Sequence, residues 1–186
     1  MKHLAVRFAI LATMMLAFAA HTRAQDLAVP EASEYLIKAG YVYNFAKLVE
    51  WPSSVVEKGQ PMVIGVLGND AFATVLTRVV EGKKVDDRTF VVKRLKSTDF
   101  RTCHCHILFV GTAEPVRTED IIQFQNTASV LTIAETPDFA RKGGVVALTL
   151  EDNKVRFTVN IDAATQASLN ISSRLLTLAS IVHSTR

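Results

Sequence analysis

Short apolar runs that alternate with helix-like stretches leave this chain few ways to fold. Residues 61–67, 89–95, 107–110, 129–133 and 145–150 are each brief and rich in branched or aromatic residues, as strands are. Between them, 71–80 and 115–125 read as helices. Gly68-Asn69-Asp70 opens the first, Glu81-Gly82 closes it, and Pro115 stands near the first turn of the second. The run 107–110 shows no polar alternation, which marks a strand covered on both faces. Residues 155–161 behave differently: Val155, Phe157, Val159 and Ile161 alternate with Arg156, Thr158 and Asn160, so one face is apolar and the other polar. The tetrad Glu151-Asp152-Asn153-Lys154 joins this arm to 145–150 in a tight hairpin. Asp162 is placed to cap a helix over 163–169, and Ser172 another reaching His183. The expected fold is α/β: a single three-layer α/β/α domain, its sheet mostly parallel with an antiparallel C-terminal hairpin.

The first 24 residues stand apart from this pattern. Lys2 and Arg7 precede an apolar run over 8–20, and Thr22-Arg23-Ala24 offers small residues at a cleavage point before Gln25. That is the layout of a secretory signal peptide, so residues 25–186 form the expected domain in the periplasm. The run is shorter than the ~20 residues of a membrane-spanning helix. Lys2, Arg7 and Arg23 are the leader's basic residues, and all 18 acidic residues follow it, so the formal charge of +3 belongs to the leader. A neutral mature chain has no field to gather phosphate polymers, which argues against nucleic acid.

Ahead of the first strand, residues 31–50 read as a helix with Ile37, Tyr41, Phe45 and Leu48 on one stripe and Asn44 at its edge. Pro52 pushes Trp51, the only tryptophan, out of the helical region, so the indole can fold back over the last turn. No sequence of catalytic type follows: there is no G-x-S-x-G elbow and no H-E-x-x-H, and the expectation is no enzyme, no cofactor and no metal. Cys103-His104-Cys105-His106 resembles a metal site. Strand alternation, however, would turn both cysteines to one face and both histidines to the other, which cannot close a tetrahedron. The same extended spacing makes a Cys103–Cys105 bridge awkward. Gly65-Val66-Leu67-Gly68-Asn69-Asp70 joins strand to helix without a nucleotide-binding glycine pattern, yet such a switch point can hold a small ligand. Asp86-Asp87 and Glu151-Asp152 read as solvated turns.

The string Asn44-Phe45-Ala46-Lys47-Leu48-Val49-Glu50-Trp51-Pro52 resembles the signature of the YfiR-like periplasmic regulators. So do the blocks that follow in order: Ile64 to Gly68, Cys105 to Val110, Val130 to Ile133, Phe139 to Gly144, Val155 to Ala164 and Ile171 to Leu176. The resemblance implies a non-enzymatic repressor that binds the periplasmic sensing region of a membrane-bound diguanylate cyclase (YfiN-like), lowering cyclic di-GMP and restraining biofilm. It also implies redox tuning, for which Cys103 and Cys105 are the candidates, and a partner-binding patch on the C-terminal half that falls near Val146 and Ala164. The thiols of the family's second pair are missing here, at Ala140 and Ala147. The alternative is a small-molecule binder or adaptor for a sensor histidine kinase, since the family occurs with other membrane sensors. A homodimer is compatible with either.

Overall fold

The computed structural model describes residues 28–57, 59–113 and 115–184. The chain divides into two units, Met1–Glu34 and Tyr35–Arg186. Of the first, the described residues are the opening of helix α1 (Ala28–Leu48), and the signal peptide expected over 1–24 lies outside the described residues. The second unit holds the sheet and the remaining helices. Within it α1 turns Ala39, Val42 and Ala46 inward, at heptad-like spacing, with Phe45 beside them. Ile37 is 49% exposed, so the buried stripe is rotated from the expected one. Alanines at two of the inward positions let the helix approach its neighbours closely, and this outweighs burial of one more isoleucine.

Leu48 hands the chain to β1 (Val49–Glu50), which pairs antiparallel with β9 (Asn170–Ile171). The main sheet is built on four mutually parallel strands: β2 (Met62–Leu67), β4 (Arg88–Leu95), β5 (Ile107–Val110) and β6 (Leu131–Ala134). β7 (Val146–Glu151) joins β6 in parallel, and β8 (Lys154–Asn160) returns antiparallel to it. Asp152 and Asn153, both at positive φ, make the two-residue turn of that hairpin. Two short strands close the edges, β3 (Lys84–Val85) and β10 (Ser180–Val182), giving the order β10-β8-β7-β6-β5-β2-β4-β3. α2 (Asp70–Val80) and α4 (Ile161–Gln166) contribute Phe72, Leu76, Ala163 and Ala164 to the same core as α1. α3 (Thr118–Ala128) and a 3₁₀ turn (Phe100–Thr102) supply Phe124 and Phe100 to the core of the opposite face. The domain is therefore three-layered and mostly parallel, with the antiparallel hairpin where the alternation put it.

Strand register lines side chains into ribs across the sheet. One rib runs Val66–Phe109–Ile133–Val146–Val159–Ile181, each residue directly opposite the next. Its first five members are buried, whereas Ile181, on the edge strand β10, is 47% exposed. The rib outruns its helical cover at that edge.

The C-terminal segment departs from expectation. The helix foreseen from Ser172 to His183 stops after α5 (Ser173–Leu176), and β10 follows it. Ser180-Ile181-Val182 has β-branched residues in two of three places and an open sheet edge beside it, which decides for strand. The cap of α4 is Asn160, whose Oδ1 accepts from Ala163 N at 2.9 Å, not Asp162. Asn160 is fully buried for that reason, although the alternation of β8 placed it toward solvent. Its Nδ2 donates to the Ala140 carbonyl at 2.7 Å.

The Gly143-Gly144 pair is explained by packing as well as backbone. Gly143 has φ +104, and a Cβ on Gly144 would lie 2.0 Å from Cε1 of the buried Phe139 ring. Gly144→Ala should therefore destabilise the fold by about 1–3 kcal/mol, the usual cost of overpacking. A shift in the urea midpoint measures it, and an unchanged midpoint would mean that the ring has room to move.

Candidate functional site

Three places gather the residues singled out by the sequence. The first is the exit of α1. Trp51 does not fold back on its own helix: its Nε1 donates to the His106 carbonyl at 3.2 Å, and the indole meets the imidazole edge-on with centroids 6.4 Å apart. The same carbonyl accepts from Leu131 N at 2.9 Å, so Trp51 is tied to the start of β5 and to β6. His106 Nδ1 accepts from Val63 N at 3.1 Å, which places the ring proton on Nε2. This clasp accounts for tryptophan, proline and the histidine before the apolar strand occurring together, because each restrains the same junction. The sequence held Trp51 and His106 but not their pairing across 55 residues.

Burial holds the His106 pKa below the ordinary imidazole value, and the Arg88 charge adds to this, while hydrogen bonds to the Val55 and Val63 backbones oppose it. A histidine pKa lowered in the folded state means that the unfolded chain binds the proton first as pH falls. His106 thus contributes stability that is complete above pH 6.5, the unperturbed value, and is lost as pH drops from there toward the folded pKa. Urea midpoints at pH 7.5 and 5.5 should differ more for the native chain than for His106→Asn. Equal differences would remove His106 as the cause.

The second place is the Cys103-His104-Cys105 loop. Cys103 and Cys105 are joined in a disulfide with Cα atoms 5.2 Å apart, both side chains buried. The expectation of an extended, alternating segment is corrected here. Cys103 caps the 3₁₀ turn in the αR region and His104 has φ +49, so the chain curls and brings the two cysteines within bridging range. His104 is exposed and His106 buried, so the histidines do not share a face as a ligand pair would. Lys93 Nζ donates to the Cys103 carbonyl at 3.1 Å. A cleft of about 550 Å³ opens beside the bridge, lined by Ser54, Val55, Val63, His104, Cys105 and His106. Among the described residues no group of three or more His, Cys, Asp or Glu side chains is placed to hold a metal ion.

The third place is the end of the sheet where β2 and β5 diverge into helices on opposite faces, the switch point of an open α/β sheet. Asn69 caps α2 through Oδ1, accepting from Phe72 N at 2.9 Å. Its Nδ2 donates to Glu135 Oε2 at 3.2 Å and to the Tyr35 hydroxyl at 3.4 Å. Glu135 Oε1 takes Lys38 Nζ at 2.6 Å in a nearly buried ion pair. A Cβ on Gly111 would sit 2.6 Å from the Gly68 carbonyl oxygen, so the two loops pass in contact. Above this network lies a crevice of about 600 Å³ with Arg94 and Lys96 on its rim. The Gly65-to-Asp70 segment thus does border a crevice, as its position in the sequence implied.

The partner-patch residues are not on the surface. Val146 lies in the buried rib of β7 and Ala164 in α4, both with their side chains inside one core cluster. Both side chains are covered by the surrounding fold. The exposed large apolar residues of this half are Leu150, Leu178 and Ile181, with Leu178 at 72%. Family position pointed to the region, but burial could not be read from it.

The match to known families covers residues 35–180, nearly the whole second unit, and its description is YfiR/HmsC-like. The chain belongs to the YfiR/HmsC-like family. YfiR-like proteins are periplasmic regulators that work through a membrane sensor and are not enzymes. No curated protein matches the chain. Among solved structures, a conserved domain protein from Vibrio cholerae O1 biovar El Tor is similar at 16% identity and a TM-score of 0.47, over 64% of this chain. The ABC domain in complex with L-Trp from Streptococcus pneumonia gives 8% identity and a TM-score of 0.45, again over 64% of this chain. The chain spans 54% of the length of each, about half, and likenesses this weak do not bear on the site. Among the described residues no helix is long and apolar enough to cross a membrane.

Proposed function

We propose that this YfiR/HmsC-like protein is exported through its N-terminal signal peptide, which residues 25–186 leave behind. In the periplasm it binds the sensing region of a membrane-bound diguanylate cyclase and holds the enzyme inactive. Family membership carries the reading, and the open edge of β10 supports it. There, an apolar rib ends at Ile181, with Leu178 exposed just before the strand. Val146 and Ala164 act from beneath, as the packing that holds this edge in place. By binding one conformation of the sensor better than the other, the protein shifts its equilibrium. Deletion of the gene should raise cellular cyclic di-GMP and biofilm, and tagged protein should capture a cyclase from membranes. Recovery of a sensor histidine kinase with unchanged cyclic di-GMP would replace this reading with the adaptor one.

The Cys103–Cys105 bridge is the redox-sensitive element of this proposal. It closes a loop with a sequence separation of only 2. The loop-entropy relation then gives it about 1–2 kcal/mol of global stability, so its opening acts locally. Reductant should shift the urea midpoint of the whole domain only slightly while changing affinity for the cyclase. A large loss of global stability, or unchanged affinity, would remove the bridge as a regulator.

A further inference from the structure

The crossovers of the main sheet are unequal. The chain passes from β2 towards β4 through α2 and from β5 to β6 through α3, but residues 96–106, between β4 and β5, hold only the 3₁₀ turn Phe100–Thr102. A crossover between parallel strands ordinarily carries a helix, and a packed helix takes up about 10 Å, the width of two strands. On one face of the sheet α2 lies against β2 and β4, and on the other α3 lies against β6. Over β2 and β4 the second face has no helix among the described residues.

Strand pleat identifies the residues of this bare lane. Phe90 and Val92 pack on the core of α1 and α2, whereas Leu95 and Val63 pack on the opposite core. Thr89, Val91 and Lys93 therefore share the face of Leu95. Val91 stands directly opposite Val63, and Thr89 opposite Lys84, so Lys84 joins the same strip. Lys84, Thr89 and Lys93 are exposed, and Val91, although apolar, is 39% exposed.

Charge decides what covers the strip. Lys93 Nζ donates to the Cys103 carbonyl, a neutral acceptor. Neither Lys84 nor Lys93 forms an ion pair with a carboxylate among the described residues. The two lysines bracket Val91, and the distance from the level of Thr89 to Lys93 is about 13 Å along the strand. A helix lying along β4 covers that distance in roughly eight residues. Its matching stripe has carboxylates roughly seven or eight positions apart with apolar residues between them. The other edge strand, β10, is Ser180-Ile181-Val182 and offers no such charges, so the two surfaces fit different segments.

We propose that Val63, Lys84, Thr89, Val91 and Lys93 form a docking surface for an acidic amphipathic helix of a partner protein. The surface is distinct from the β10 edge and does not rest on the repressor reading. The docked helix supplies the layer missing from this part of the fold: its apolar residues cover Val91 and Val63, and its carboxylates meet Lys84 and Lys93. Because the Cys103 carbonyl holds Lys93, the bridge loop fixes one end of the surface.

The test puts a photo-crosslinking residue in place of Val91 in the full chain, in cells of the native host, and sequences the cross-linked segment. That segment should read as a helix with apolar residues between carboxylates at the stated spacing, and its synthetic peptide should bind the purified protein in 1:1 ratio. Lys84→Glu and Lys93→Glu should each weaken the peptide about tenfold or more, and Lys93→Arg should keep it within about threefold. Exchanging the peptide's matching carboxylate for lysine should restore affinity for Lys84→Glu. Added salt should weaken binding to the native chain, as it does for exposed charge pairs. Should Lys93→Glu fail to fold, Lys84→Glu decides, since Lys84 is exposed on a two-residue edge strand. No cross-link at Val91, or capture there of a second copy, a lipid or a segment without carboxylates, overturns the proposal. A peptide indifferent to both charge reversals, or equal capture from the exposed position of Lys142, overturns it too.

Discussion

Lys38→Met should cost the fold about 3–5 kcal/mol, the loss seen when one member of a buried ion pair is removed. The side chains of Lys38 and Glu135 are 4% and 11% exposed, and their charged atoms are 2.6 Å apart. Without the ammonium, the Glu135 carboxylate keeps only the Asn69 amide, at 3.2 Å, and stays out of water. In a domain of this size such a loss lowers Tm by roughly 10 °C or more. Replacing both partners, Lys38→Met with Glu135→Leu, should recover most of the loss, because no orphan charge remains and the apolar pair fills the space. A Lys38→Met chain within about 1 kcal/mol of the native one would show that water reaches Glu135. The pair matters because it joins α1 to the loop after β6, and Asn69 carries the connection to the start of α2. Three elements on the two sides of the switch point are thereby locked at one end of the sheet.

That network also marks how far the sequence could be read. The strands 61–67, 89–95, 107–110 and the C-terminal hairpin were legible because each is a self-contained period or run, and burial follows period. Lys38 carries no such signal. It lies on α1 between Leu36-Ile37 and Ala39-Gly40, and nothing within a helical turn predicts a carboxylate 97 positions away. The short edge strands β3 and β10 were missed for a related reason: two or three residues hold no period, and their pairing with β4 and β8 decides them. Ile37 shows the reverse failure. Its spacing with Tyr41 and Phe45 was correct, but Ala39 and Ala46 allow closer approach on the adjoining face, and shape overrode hydrophobicity.

The site was legible as chemistry and illegible as conformation. Cys103 and Cys105 stood out as thiols in a chain read as exported, but the extended geometry assumed for them was wrong at Cys103, which is in the αR region, and at His104, whose positive φ curls the loop. Histidine gives little warning of the left-handed region, unlike glycine. Arg88, just ahead of the strand 89–95, carries no signal of its own in the sequence. Its burial and its unmet Nη1 arise from the fold of two distant turns around it, information absent from any window of sequence.

Leu178→Asp combined with Ile181→Asp should leave the domain folded and abolish repression. The two side chains are 72% and 47% exposed, so charge at these positions buries nothing and disrupts little packing. Their cost in the free protein is that of a surface change in a three-residue edge strand. In a complex the arithmetic reverses. An apolar anchor covered by a partner commonly carries 2 kcal/mol or more, and a carboxylate in its place must be desolvated without a counter-charge. Binding to the cyclase should therefore weaken by well over tenfold for the pair. Cyclic di-GMP should rise to the level of the gene deletion, while the urea midpoint stays within about 1 kcal/mol of native. Leu36→Asp with Ile37→Asp supplies the control. Those residues are 57% and 49% exposed on α1, so a merely sticky surface would respond equally to both double changes. Val146→Ala gives the complementary result. It removes volume from the rib behind Ile181 and should lower stability by about 0.5–1.5 kcal/mol or more through the cavity left. Affinity should then fall in proportion to how far the edge relaxes. Repression lost with the helix pair and kept with the edge pair would move the interface to α1, and the exposed end of the rib would then need another occupant.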